Sequence, residues 1–485
     1  LILQTTDTEI CEMERAAIAT EITEVSQLRV VRWPRIVRWL DTFIFADLLT
    51  TAILSALAFG AVEPWSLAIF ELNALVVVVV LALNFALDPR FDLRRLRLSL
   101  PVFVFLILGA IQAAQFGSPT VTNAPEGFAR TTAALSLDPH ATREAVVKLF
   151  ALAVYFVAAL HSLRDNRRRR ISLLTLSVFG FAVSLFAIAQ RLTYNGKMYW
   201  VRPVSDYIAP YGPYGNYNHF AGMVELILPL ALAYLLVART GAEQRALWCL
   251  AVMIMAVATV FSLSRGGMLA LGAQVAVLLL VSSFLRGRGD KVESRSAKTK
   301  RRALIAFGIG GVIMLALWIG YAPLTQRFGT IGQGASEYSV VTRLSYWRAS
   351  WRMFLDHPIL GVGLGAFPAI YPAYGQSSAR YERLEQAHND YLQLLTDSGI
   401  VGAMIGLWFL FEIIRIARLQ WRGLERFRSR SRATALGGYV AVFGLLIHSF
   451  TDFNLQITAN ALLFLLDIAL ATSLDPNEKQ SYDNQ

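Results

Sequence analysis

Runs of about 17 to 25 apolar residues recur along almost the entire chain, each long enough to cross the hydrocarbon layer of a bilayer as a helix. About twelve such spans are read, near residues 42–60, 65–86, 100–116, 145–163, 171–190, 218–237, 246–263, 267–285, 303–322, 400–417, 434–450 and 457–474. Length separates the pair that flanks Ser264–Gly266. Ala246 to Leu285 would make about 60 Å of helix, roughly twice the hydrocarbon thickness, so the chain must reverse near Arg265. The expected fold class is an all-α polytopic membrane protein.

Composition agrees: of the 485 residues 55% are hydrophobic and only 16% charged, with a mean hydropathy of +0.48, which excludes an ordinary soluble domain. The net charge of +11 would suggest nucleic acid in a soluble protein. Here the arginines fall in short blocks between apolar runs, where they set topology, and no nucleic-acid partner is expected. Cys11 and Cys249, one in the polar N-terminal stretch and one in an apolar run, form neither a disulfide framework nor a metal pair. Leu1–Arg38 lacks the apolar core of a cleavable signal peptide, and a chain beginning without methionine reads as trimmed or incomplete.

The basic loops alternate with poor ones. Arg90–Arg97, Arg164–Arg170, Arg239 with Arg245, Arg286–Arg302 and Arg415–Arg432 are expected on the cytoplasmic side, with both termini. The expected organisation is a cytoplasmic tail over 1–40, nine spans within 41–322, a large outer loop over 323–399, three spans within 400–474 and a cytoplasmic tail over 475–485. The large loop is too long to be a mere connection and should fold. In its RLSYWRASWRMFL stretch, Leu344, Trp347, Trp351, Phe354 and Leu355 share one helical face and Arg348 and Arg352 another, as in a helix lying on a membrane surface. Gly361, Gly363 and Gly365 read as hinges in a flexible crossing; without a preceding strand they make no dinucleotide site.

The residues suited to chemistry all fall on the outer side of this topology. His388 and Asn389 open the stretch HNDYLQLLTDSGIVG, in which Leu392 and Leu395 follow the histidine at helical spacing until Asp397–Gly399 break the pattern. Arg191 ends a span, Arg265 sits in the turn FSLSRGG and Arg202 in the loop YWVRPVSDY. A guanidinium offers a permanently charged planar fork of donors, suited to a diphosphate at the membrane surface. Ser262 and Ser264 beside Arg265 either contact phosphate oxygens or satisfy the turn. His219 caps an outer helix end or takes part in chemistry; Asn218 reads as the helix start. Glu225, about two turns into the span, needs a polar cavity or a cation, for which Arg191 and Arg265 are the candidates. His448 and Asp452 close the eleventh span. Asp47, Glu71, Lys148 and Asp467 within apolar runs read as interior pairs. The six histidines are scattered without metal-ligand spacing, so no metal or other cofactor is expected, and no G-x-S-x-G element appears.

The order FSLSRGGMLAL, WRMFLDHPILGVGLGAF, HNDYLQLLTDSGIVG resembles the bacterial O-antigen ligase and O-antigen polymerase superfamily, over roughly Arg191 to Ile457. The resemblance implies a membrane-embedded glycosyltransferase fold of the GT-C-like kind in the bacterial inner membrane. It implies transfer of a glycan from undecaprenyl diphosphate to an acceptor hydroxyl at the periplasmic face, with inversion. His388 then matches the histidine that activates the acceptor, and Arg191 and Arg265 the arginines that hold the diphosphate. Ligase, polymerase and protein O-oligosaccharyltransferase share these motifs, so a glycan, lipid A-core or protein acceptor is each open. A lipid-linked oligosaccharide flippase or other transporter is the competing class. It would place charges along a path through several spans, whereas here they gather at one face.

Overall fold

The computed structural model describes residues 35–87, 93–121, 131–204, 210–238, 240–289, 335–375, 384–422 and 429–474. The chain is an all-α polytopic membrane protein, and nine helices among the described residues are long and apolar enough to cross a membrane. In order they are α1 (Arg35–Leu57), α2 (Pro64–Leu87), α3 (Leu100–Ala113, led by a 3-10 turn), α4 (Pro139–Ser162), α5 (Asn166–Leu192), α6 (Tyr217–Val237), α7 (Ala242–Phe261), α8 (Arg265–Gly289) and, after the loop helices α9 (Ala335–Asp356) and α10 (Phe367–Tyr374), α11 (Asp390–Arg422). Helices α12 (Ser429–His448) and α13 (Thr458–Thr472) follow. The expected span at 303–322 lies outside the described residues. Two small antiparallel hairpins, Gln115–Val121 with Thr131–Ala134 and Lys197–Met198 with Arg202–Pro203, sit in the connections.

Helix ends follow capping chemistry more closely than hydropathy. α4 begins six residues before the expected span, because Asp138 accepts from Ala141 N and Pro139 occupies the first turn. On α2 the residues Ile69, Leu72, Val76, Val79 and Leu83, spaced three and four apart, are 49% to 64% exposed. An outward apolar stripe inverts the pattern of a water-soluble helix and belongs against lipid. α6 is the opposite case: it is buried on every side from Asn218 to Tyr234, packed by α5, α7, α8, α12 and α13. Its neighbours come close through small residues, as where Gly437 of α12 lies against Leu230 and Pro229.

The two ends of the bundle differ in chemistry. At one, Asp41 holds Arg168 by two hydrogen bonds of 2.9 and 2.7 Å and His161 at 3.1 Å, and Arg169 donates to Ser473 O at 2.9 Å. At the other, Tyr199 Oη donates to Leu57 O, Ala459 N to Gly60 O, Gln112 Nε2 to Leu360 O and Asp397 O, and Asp390 N to Ser449 O. The Arg164–Arg170 block and the candidate residues therefore lie at opposite ends.

The loop helix α9 forms where the amphipathic pattern places it, with Arg348 and Arg352 exposed and Leu344, Trp351 and Leu355 40% to 56% exposed. Its packed face is a third one, Tyr346, Ala349, Ser350 and Met353, which builds a separate small core with Val362, Phe367, Ile370 and Tyr371. The glycines of LGVGLGAF are not flexible hinges. Val362 N donates to Thr396 O and Gly363 N to Asp397 O, pinning the segment to the start of α11. Gly361 takes φ +71°, and a Cβ there would come within 2.5 Å of Ser398 N and overlap the Asp397 backbone. Gly361→Ala should therefore cost about 3 kcal/mol from left-handed strain plus overpacking, read as a lowered Tm of the protein in detergent. An unchanged Tm would mean that the segment yields.

Candidate active site

His388 is not on a helical face. It precedes α11 with φ +51°, because Asn389 takes the N-cap and accepts from Tyr391 N and Leu392 N, both at 3.0 Å. The helix it leads turns sharply at Gly399, φ +61°, where the sequence pattern breaks. The Arg265 turn is built alike. Leu263 takes φ +60°, Ser264 Oγ accepts from Gly267 N at 3.1 Å, and α8 starts at Arg265. Two non-glycine residues in the left-handed region, each just before a cap, cost about 1–3 kcal/mol apiece and mark segments held by their surroundings.

What holds them is the turn after α12. Asp452, with 1% of its side chain exposed, places Oδ1 at 3.4 Å from His388 Nδ1 and 3.7 Å from His219 Nε2. Two imidazoles from α6 and from the segment before α11 thus share one carboxylate. Phe453 meets both edge-on, at centroid distances of 4.6 Å to His219 and 4.7 Å to His388, and Tyr346 of α9 stacks on His388 at 6.1 Å. Burial works to raise the Asp452 carboxyl. The two histidines beside it overcome this and hold Asp452 well below the usual carboxylate range. His388 keeps 23% of its side chain exposed, against 9% for His219, so His388 is the member of the trio open to a substrate.

One turn deeper lies a second constellation. His448 Nδ1 is 3.1 Å from Glu225 Oε1, with both side chains buried, and His448 Nε2 is 3.5 Å from Ser264 Oγ. Glu225 therefore takes a histidine partner, not Arg191 or Arg265 as the sequence suggests. A carboxylate inside the bundle takes the nearest polar partner, and α12 runs alongside α6 there. Ser262 and Ser264 satisfy the turn: Ser262 Oγ donates to Thr259 O, Ser264 N to Ser262 Oγ. A Cβ on Gly266 would lie 2.5 Å from His448 Cδ2 and 2.6 Å from Thr451 Oγ1, so the first turn of α8 rests directly on the His448–Thr451 turn.

Arg265 is exposed beside that contact. Arg191, also exposed, ends α5 within electrostatic reach of Tyr211, whose ring meets Phe220 next to His219 at 4.8 Å. Arg202 is engaged elsewhere, donating to Glu63 Oε1 at 2.9 Å and lying 4.4 Å from the Phe59 ring centre, which ties the Arg202–Pro203 strand to the α1–α2 turn. Asn216, not Asn218, caps α6. Of the interior charges, Asp47 accepts from Asn73 and Lys148 interacts with Glu71 and Asp397. Asp467 Oδ2 has no hydrogen-bond partner among the described residues.

Three contributors escape sequence reasoning. Asp390 accepts from Ser449 Oγ at 2.8 Å and Leu455 N at 3.2 Å, clamping the His388 segment onto the Asp452 turn. Tyr346 and Phe453 flank the imidazoles. Only Asp390 carried a signal, as an acidic residue directly after His388 and Asn389.

The arrangement offers a partly exposed imidazole next to a carboxylate, a group able to accept a proton, at the end of the bundle that also carries the exposed Arg191 and Arg265. A comparison with curated proteins finds no match. Residues 250–407 match the family model Wzy_C, described as O-antigen ligase, a stretch holding Arg265 and His388 but narrower than the resemblance read from the motifs. That match, over about a third of the chain, is to an O-antigen ligase family and supports the O-antigen ligase and polymerase reading of this multi-pass membrane protein.

Proposed function

We propose that the protein transfers a glycan from undecaprenyl diphosphate to an acceptor hydroxyl at the periplasmic face of the inner membrane, on a GT-C-like scaffold. The observation that carries this reading is the His388–Asp452 contact, at the bundle end opposite the arginine-rich Arg164–Arg170 loop. Asp452 Oδ1 faces Nδ1, so it favours the tautomer with the proton there and leaves Nε2 free to accept one. In the transfer, the acceptor oxygen bonds to the anomeric carbon and its proton passes to His388 Nε2. The bond from that carbon to the diphosphate oxygen breaks, and its electron pair stays on the diphosphate. Arg265 and Arg191 bind that developing charge. Displacement in one step inverts the anomeric centre. The residues act without a metal ion in this scheme.

The acceptor is a hydroxyl of another glycan or of a lipid A-core; a protein hydroxyl is the third choice. The purified protein, incubated with undecaprenyl diphosphate carrying one O-antigen repeat unit and with each acceptor in turn, should yield one product mass above background together with free undecaprenyl diphosphate. No product with any acceptor, alongside movement of the intact donor across proteoliposome bilayers, would replace the enzyme with a carrier.

A further inference from the structure

Two imidazoles face one carboxylate, and only one of them is open enough to meet a substrate. We propose that His219 neutralises Asp452 and thereby keeps His388 in the uncharged form that accepts a proton. This rests on the reading of His388 as the base and adds a positioning residue to it.

The argument is one of charge balance. A buried carboxylate 3.4 Å from an imidazole favours the imidazolium, and an imidazolium cannot take a proton. A general base fixed by a buried aspartate is thus at risk of being charged when it is needed. His219 Nε2 stands 3.7 Å from the same Oδ1, on the first turn of α6, where it is more enclosed than His388. The carboxylate contact outweighs the positive end of the α6 dipole, so with the cation on His219 the buried carboxylate is already matched, and His388 holds a single proton at Nδ1. The surrounding charges leave this balance to the trio. Glu225 is matched by His448, Asp390 is held by Ser449 and Leu455, and the group stacked on His388 from α9 is the neutral phenol of Tyr346. Arg265, on the first turn of α8, is exposed to solvent. Asn460 Nδ2 reaches the His219 carbonyl, so the backbone is held independently of the ring.

His219→Gln retains an amide that can donate to Asp452 but carries no charge. The full chain, labelled in its histidine rings and held in nanodiscs without donor or acceptor, would be titrated by NMR, with the His388 signal assigned by its loss in His388→Asn. In His219→Gln the His388 ring should titrate about one pH unit higher than in the wild type, the lower end of what one opposite charge produces at this range. The acid limb of transfer activity should move up by the same amount, costing about tenfold at a pH on that limb and recovering in base. Asp452→Asn should move the His388 titration down, which keeps the test available if His219→Gln fails to insert. A His388 titration that stays put or falls in His219→Gln overturns the proposal, as does a uniform loss of activity at every pH. Failure of the base reading looks different. His388→Ala would then remain active while the His388 ring of His219→Gln still titrated higher.

Discussion

His388→Ala is expected to lower glycan transfer by about 10²–10⁴-fold while leaving insertion, yield and the elution profile of the protein unchanged. The size follows from losing a general base. The intact fold follows from position, since the side chain is partly exposed and the backbone around it is held by the Asn389 cap and the Asp390 clamp. Alanine does meet a cost at φ +51°, so His388→Asn is the cleaner partner variant: asparagine enters the left-handed region readily and cannot act as a base. Equal loss in both variants would assign the defect to the imidazole. Recovery in His388→Asn would assign it to the backbone, and full activity in both would remove His388 from the chemistry.

Much of the bundle was legible because a bilayer leaves few options. Backbone groups in lipid must be satisfied within a helix, so each apolar run among the described residues became one, and the Arg265 turn followed from length alone. Boundaries slipped where side-chain capping extends a helix beyond its apolar run, as Asp138 does for α4. The candidate site was readable as a list of residues, since polar groups beside apolar runs stand out. Their pairing was not. Asp452 and His219 are brought together by the packing of α12 and α13 around α6, and Glu225 finds His448 because small residues let α6 and α12 approach closely. No local periodicity records contacts of this kind. The glycines of LGVGLGAF misled for a related reason: composition reads them as freedom, whereas their positive φ values and the Thr396 and Asp397 carbonyls that bind the segment make it rigid.

Arg265 supplies the second large effect. Arg265→Lys should lose on the order of 10–100-fold in kcat/KM although its charge is unchanged, because lysine gives a point charge where two diphosphate oxygens call for a planar fork. A purely structural role for this arginine would run against electrostatics. It is the first residue of α8, where the helix dipole is positive and a cation is disfavoured, and Ser264 already caps that end through Gly267 N. Arg265→Ala should accordingly leave the Tm unchanged or raise it slightly, by no more than about 0.5 kcal/mol of stability, while reducing transfer further than lysine does. The opposite pattern, a fallen Tm with activity lost in proportion to unfolded protein, would make Arg265 a folding residue. Equal rates for arginine and lysine at limiting donor would show that the site needs only a positive charge. An acid limb unchanged in Arg265→Lys would complete the assignment. The guanidinium then serves the leaving diphosphate, and protonation of the base remains with Asp452, His219 and His388.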